Sequence, residues 1–178
     1  MLSLVIGGAR SGKSRFAQSL GADSSRAVFI ATLRAEDAEM AARVEQHRRD
    51  RPAHWLTVEE PLQIADAVER QRDCDFILLD CLTLWLSNLC WEHRGDPEPA
   101  IEAAALAQLA RVAEASTPAH VVLVTNEVGC GLVPETPVGR FFRDLQGRAN
   151  QAAARLASQV FQVVAGIPIV IKQPERSR

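Results

Sequence analysis

The sequence has few means of covalent or metal-based reinforcement. Its four cysteines, Cys74, Cys81, Cys90 and Cys130, form no CxxC pair and share no zinc-ligand spacing with the four histidines. That argues against a disulfide scaffold and a zinc module; it fits a reducing compartment in which Cys81 reads as a small buried hydrophobe. Charge of one sign is also lacking: 20 Lys and Arg stand against 22 Asp and Glu, a formal net charge of -2. A basic face for nucleic acid is therefore not expected, and any positive site must be local. No window approaches the roughly 20 apolar residues of a membrane span, so stable membrane insertion is not expected. The opening MLSLVIGG turns glycine-rich without the basic start or longer apolar stretch of a signal peptide, which makes a cytoplasmic protein the natural expectation. Internal repeats and low-complexity tracts are missing as well.

What is present suits one α/β domain over residues 1–178, with 47% hydrophobic and 24% charged residues. Apolar runs recur at Leu2–Ile6, Ala27–Thr32, Phe76–Leu79, His120–Thr125, Val160–Ala165 and Ile167–Lys172. Most are continuous rather than alternating, which predicts parallel strands covered on both faces. Helical patterns fall at 13–20, 36–49, 61–71 with Pro61 in the first turn, 83–92, 98–115 and 138–158. In the last, Phe142, Leu145, Ala149, Ala152 and Leu156 form one stripe and read as core packing. The expected fold is a mostly parallel central sheet with helices on both faces.

Residues 7–14, GGARSGKS, match GxxxxGK[ST] between an expected strand and an expected helix. Gly7, Gly8, Ala9, Arg10, Ser11, Gly12, Lys13 and Ser14 thus form a candidate phosphate loop. Gly8 and Gly12 allow close backbone approach, the amides at the helix start face phosphate oxygens, Lys13 reaches the β and γ phosphates, and Ser14 ligates Mg²⁺. A solvent-facing lysine on a glycine turn is the plainer alternative, but the full motif in its full context argues against it. Arg10 either meets a phosphate or covers the loop.

The run FILLD ends in Asp80, placed to hold a Mg²⁺-bound water unless it only caps its strand. Thr125, Asn126 and Glu127 close VVLVTNE at the same sheet edge, where they orient a nucleophile, sense phosphate or simply satisfy turn amides. His47 shares a helix face with Met40 and Val44. Arg43, Arg48, Arg49 and Arg51 surround it in sequence and would favour a neutral, nucleophilic imidazole if they converge in space. From the residues alone, an inward-facing structural histidine and a nucleophile both remain open. Glu59 either accepts hydrogen bonds from guanine or caps the helix near Pro61, while His54 reads as a structural or rim residue.

These blocks together resemble the bifunctional adenosylcobinamide kinase/adenosylcobinamide-phosphate guanylyltransferase family. The resemblance rests on VIGGARSGKSRFAQSL, IAT, DAEMAARVEQHRRDRPAHWLTVEE, ILLDCLTLWLSNL and VVLVTNEVGCGLVPETPVGRFFRDLQGRANQ, which cover most of residues 4–151. It implies a P-loop NTPase-like fold, adenosylcobinamide and adenosylcobinamide phosphate as substrates, ATP or GTP as phosphoryl donor, GTP as guanylyl donor, and Mg²⁺. It further implies His47 as the guanylylated residue, with nucleotide contacts at Ala31, Thr32, Leu33, Arg48, Arg49, Asp50, Arg51, Glu59 and Asp80, and a homotrimer. Position 33 is variable in the pattern, so the Leu33 side chain is given no chemical role; relatives can carry glutamate at position 80, where aspartate keeps the carboxylate with a shorter reach. A P-loop kinase without guanylyl transfer and an NTP-driven switch are the competing readings.

Overall fold

The computed structural model describes residues 1–34 and 52–174. In chain order these form β1 (Leu2–Ile6), α1 (Lys13–Ser19), β2 (Ala27–Ala31), β3 (Leu56–Glu59), α2 (Ile64–Arg70), β4 (Phe76–Asp80), α3 (Leu82–Glu92), α4 (Glu98–Ala115), β5 (His120–Thr125), a 3-10 turn (Val128–Cys130), α5 (Pro137–Leu156), β6 (Gln159–Val164) and β7 (Ile167–Lys172). The seven strands lie in the order β3-β2-β4-β5-β1-β6-β7. Every neighbouring pair is parallel except β6 and β7. The helix expected at 36–49 lies within residues 35–51, outside the described residues.

Alternation along the central strands sends side chains into two separate cores. Leu4, Ile30, Ile77, Leu79 and Leu123 pack with Ile64, Trp85, Leu109 and Leu145 from α2 to α5. Val5, Phe29, Leu78 and Val124 pack on the opposite face with Ala17 of α1 and Trp55. This two-sided burial explains the continuous apolar runs of β1, β2, β4 and β5.

Three local expectations change. The strand β3 was not expected; its four residues are partly or fully exposed, so burial leaves little apolar signal in LTVE. The helix expected from Pro61 begins at Ile64 instead. The amides of Leu62 and Gln63 donate to Glu60 Oε1 at 3.0 and 2.8 Å, so this turn is held by the acid after Glu59. Finally, β7 is not a covered parallel strand: all six of its residues are exposed. It returns antiparallel to β6 through the two-residue turn Ala165–Gly166, with φ 51° and 82°, values of the hairpin turn whose twist suits paired strands. Its last residue, Lys172, donates through Nζ to the carbonyls of Ala154, Arg155 and Ala157 at 3.0, 3.1 and 2.6 Å, tying the edge strand to the negative end of α5.

His120 gives the fold a pH dependence with a definite sign. Its ring lies 5.5 Å from that of Phe76, edge to face, and its Nε2 lies 2.9 Å from Ser3 Oγ. Burial, and then the nearby amino terminus, hold its pKa below the ordinary 6.5. The unfolded chain therefore takes up this proton more readily, and the stabilising contribution is lost as pH falls below that ordinary value. Urea midpoints measured from about pH 8 to pH 5 are expected to fall less steeply for His120→Gln than for the parent chain. An unchanged pH slope would assign the dependence to other groups.

Candidate functional site

The register brings the site residues to the C-terminal edge of the sheet. Glu59, Ala31, Asp80 and Val124 stand side by side across β3, β2, β4 and β5. One step further along, Ile6 of β1 pairs with Thr125 of β5 and with Gln162 of β6. The candidate phosphate loop begins on the next residue, Gly7, whose amide donates to the Thr125 carbonyl at 3.3 Å. The loop thus rises beside the polar end of β5, with Asp80 at the end of β4 one strand further on the same side.

Within the loop, Ser11 N donates to Gly8 O at 3.3 Å and Phe16 N donates to Gly12 O at 3.0 Å, closing a turn that runs directly into α1. Gly12 has φ 92°, a left-handed value that L side chains rarely adopt. A Cβ on Gly7 would stand 2.6 Å from the Val163 carbonyl oxygen and 2.7 Å from Ser11 Oγ, so the chain passes too close for any side chain. Lys13 folds back across the loop and donates through Nζ to Gly8 O at 3.1 Å. Ser11 Oγ is buried without a hydrogen-bond partner among the described residues. Backbone amides, a lysine ammonium and an unmatched hydroxyl converge here, a donor set suited to phosphate oxygens.

Asp80 ends β4, and its neighbour reports its surroundings. Burial first, and then the Asp80 carboxylate, push the Cys81 thiol up to about 11 against an opposing pull from Lys13. Both charges act on this thiol, Lys13 from the start of α1 and Asp80 from the end of β4. Cys81 itself, only 5% exposed, is protonated at neutral pH and packs as the expected small hydrophobe. Asp80 and Ser14 are a donor set that fits Mg²⁺: this ion commonly takes one or two carboxylates and completes its shell with substrate phosphates and water. A preformed cluster of three or more His, Cys, Asp or Glu is missing among the described residues, as that mode of binding permits.

Thr32 is buried, and its hydroxyl accepts from Cys81 N and donates to Cys81 O, both at 2.8 Å. Its side chain thus clamps the ends of β2 and β4. Asn88 of α3 supports the same edge by donating to Thr32 O at 2.7 Å and Pro61 O at 3.1 Å.

A polar cluster lies behind the end of β5. Thr125 Oγ1 donates to Asn150 Oδ1 at 2.7 Å, and Gln146 Nε2 donates to both at 3.0 and 2.9 Å. Asn150 Nδ2 reaches Asn126 O at 3.0 Å, while Asn126 N donates to Thr83 Oγ1 at 3.1 Å. Glu127 accepts from Gln162 Nε2 at 3.2 and 3.3 Å, so its carboxylate reaches toward β6 across the strand that launches the loop. Sequence reasoning named Thr125, Asn126 and Glu127 but missed Thr83, Gln146, Asn150 and Gln162. The available signal was Gln146 and Asn150, four apart beside the apolar stripe of α5. His47, Arg48, Arg49, Asp50 and Arg51 lie outside the described residues.

Comparison with known proteins agrees on one family. Residues 3–171 match the family described as cobinamide kinase / cobinamide phosphate guanyltransferase. The bifunctional adenosylcobalamin biosynthesis protein CobU of Escherichia coli (strain K12) is 45% identical over 181 residues, covering 97% of this chain and 100% of that protein. CobU of Salmonella typhimurium is 44% identical, with 97% and 100% covered, and CobP of Pseudomonas aeruginosa is 43% identical, with 97% and 98% covered. Among solved structures, an ATPase from the type III secretion system of pathogenic bacteria shares the fold, with TM-score 0.55 at 11% identity over 90% of this chain and 50% of that one. The matched span includes the phosphate loop, Asp80 and the polar end of β5, and the chain belongs to the cobinamide kinase / cobinamide phosphate guanyltransferase family.

Proposed function

We propose that this protein phosphorylates adenosylcobinamide with ATP or GTP and then transfers GMP from GTP to adenosylcobinamide phosphate, releasing pyrophosphate and giving adenosylcobinamide-GDP. Family membership supports the two activities. The observation that carries the chemistry is the placement of the Lys13 loop and of Asp80 at the same C-terminal edge of a mostly parallel sheet, which supports reading the fold as P-loop NTPase-like. In the kinase step the acceptor hydroxyl oxygen bonds to the γ-phosphorus as the bond to the nucleoside diphosphate breaks, and the hydroxyl proton is released to water. Lys13 and the loop amides stabilise phosphate charge, and the Thr125–Glu127 strand end orients the acceptor. Ser14 and Asp80 would hold Mg²⁺, which neutralises phosphate charge when bound.

The guanylyl step is assigned to His47, with Arg48, Arg49, Asp50, Arg51 and Glu59 around the nucleotide; the family resemblance supports these roles. Neutral imidazole attacks the GTP α-phosphorus and expels pyrophosphate; the acceptor phosphate oxygen then takes the guanylyl group and frees His47. Residues 1–178 are read as one domain, and a homotrimer would have about three times the 19.5 kDa chain mass. Among the described residues, no helix is long and apolar enough to cross a membrane.

Purified protein is expected to move label from γ-labelled GTP to adenosylcobinamide, and from α-labelled GTP to adenosylcobinamide phosphate. Transfer of the γ label alone would leave a kinase, and transfer of neither would refute the assignment.

A further inference from the structure

The hairpin between β6 and β7 touches the phosphate loop at two points, although sequence reasoning gave it no role. Gly166 N donates to Ser11 O at 2.7 Å, and the Val163 carbonyl lies against Gly7. Contact at the turn is tight: a Cβ on Gly12 would stand 3.1 Å from Gly166 Cα. Two glycines with left-handed backbones, φ 92° at Gly12 and φ 82° at Gly166, meet back to back.

This contact determines a direction. In a trans peptide the carbonyl and the following N–H point opposite ways. Drawing the Ser11 carbonyl outward to Gly166 therefore turns the Gly12 N–H the other way, away from the hairpin. We propose that the Ala165–Gly166 turn braces the phosphate loop from outside, and that Gly166 is a positioning residue for the triphosphate. The inference rests on the reading of residues 7–14 as the nucleotide loop, and it adds a distant segment of chain to that site. The same turn walls a cleft of about 470 Å³ with Arg15, Phe16 and Ser19 of α1, so its placement also shapes the space beside the loop.

The test separates the backbone requirement from the side chain. A Cβ at position 166 meets nothing within 4 Å, so space does not forbid substitution; the left-handed φ does. Asparagine tolerates that conformation and keeps the N–H, whereas β-branched valine does not tolerate it. Equilibrium binding of a non-hydrolysable GTP analogue is expected to stay within about twofold of the parent for Gly166→Asn. For Gly166→Val it should weaken about tenfold, equivalent to about 1.4 kcal/mol and on the scale of one hydrogen bond. Affinity is measured on the folded fraction, so a merely structural turn would lower Tm and leave Kd unchanged, overturning the proposal. If the valine variant does not fold, hydrogen exchange of the parent decides: protection of the Gly166 amide supports the brace, and exchange at the rate of an open turn overturns it. Failure of the parent to bind the analogue would instead refute the nucleotide-loop reading.

Discussion

Lys13→Ala is expected to slow both phosphoryl transfer and guanylyl transfer by at least about a hundredfold, the scale seen when one donor to a developing charge is removed. The lysine already lies across the mouth of the loop, with Nζ 3.1 Å from Gly8 O, and it acts on Cys81 together with Asp80. A triphosphate entering there meets an ammonium that exchanges one neutral carbonyl for charged oxygens. Loss of that ammonium leaves the loop amides intact, so binding should survive better than turnover. The side chain is not part of either packed core, and the variant should keep the parent Tm. Assays with γ-labelled and α-labelled GTP on folded variant check this directly. Parent rates in both would remove Lys13 from the chemistry, and loss of one alone would assign the loop to that reaction only.

His47→Ala should divide the two activities. With no imidazole to carry GMP, guanylyl transfer is expected to fall at least about a thousandfold, as when a covalent nucleophile is deleted. Phosphorylation of the hydroxyl should persist, because the γ-phosphoryl group passes directly to its acceptor. In the parent, incubation with α-labelled GTP should leave an acid-labile GMP adduct that peptide mass analysis locates on His47. The adduct disappears in the variant. Undiminished guanylyl transfer, or label confined to another residue, would exclude His47 as the carrier.

The sheet was legible in sequence because its central strands are buried on both faces and write that burial as unbroken apolar runs. The turn at residues 7–14 was legible because its glycines answer to backbone geometry: Gly12 to a left-handed φ and Gly7 to the close approach of Val163 O. Where the strand environment changed, pattern misled. Ile167–Lys172 reads like a core strand, yet exposure depends on whether another element covers it, which a local run does not encode. LTVE had the opposite fault, a paired strand with too little burial to announce itself. The stripe on α5 was only half read: Leu145, Ala149 and Ala152 are buried as expected, Leu156 is 43% exposed, and Gln146 is as buried as its apolar neighbours. A buried amide is intelligible only once Thr125 and Asn150, its partners, are known. The Gly166 contact joins residues more than 150 positions apart, beyond any periodicity.

The central position of β1 has a consequence for how the chain is made. Residues 2–6 leave the ribosome well before both strands that flank them, residues 120–125 and 159–164. Closing loops of that length carries an entropic cost before pairing returns any stabilisation, and such topologies fold slowly. The nascent chain therefore carries an apolar LSLVI segment without its sheet partners until residues 120–125 have emerged. The loop at residues 7–14 therefore takes its finished shape only after residues 163–166, which lie against it, have been translated.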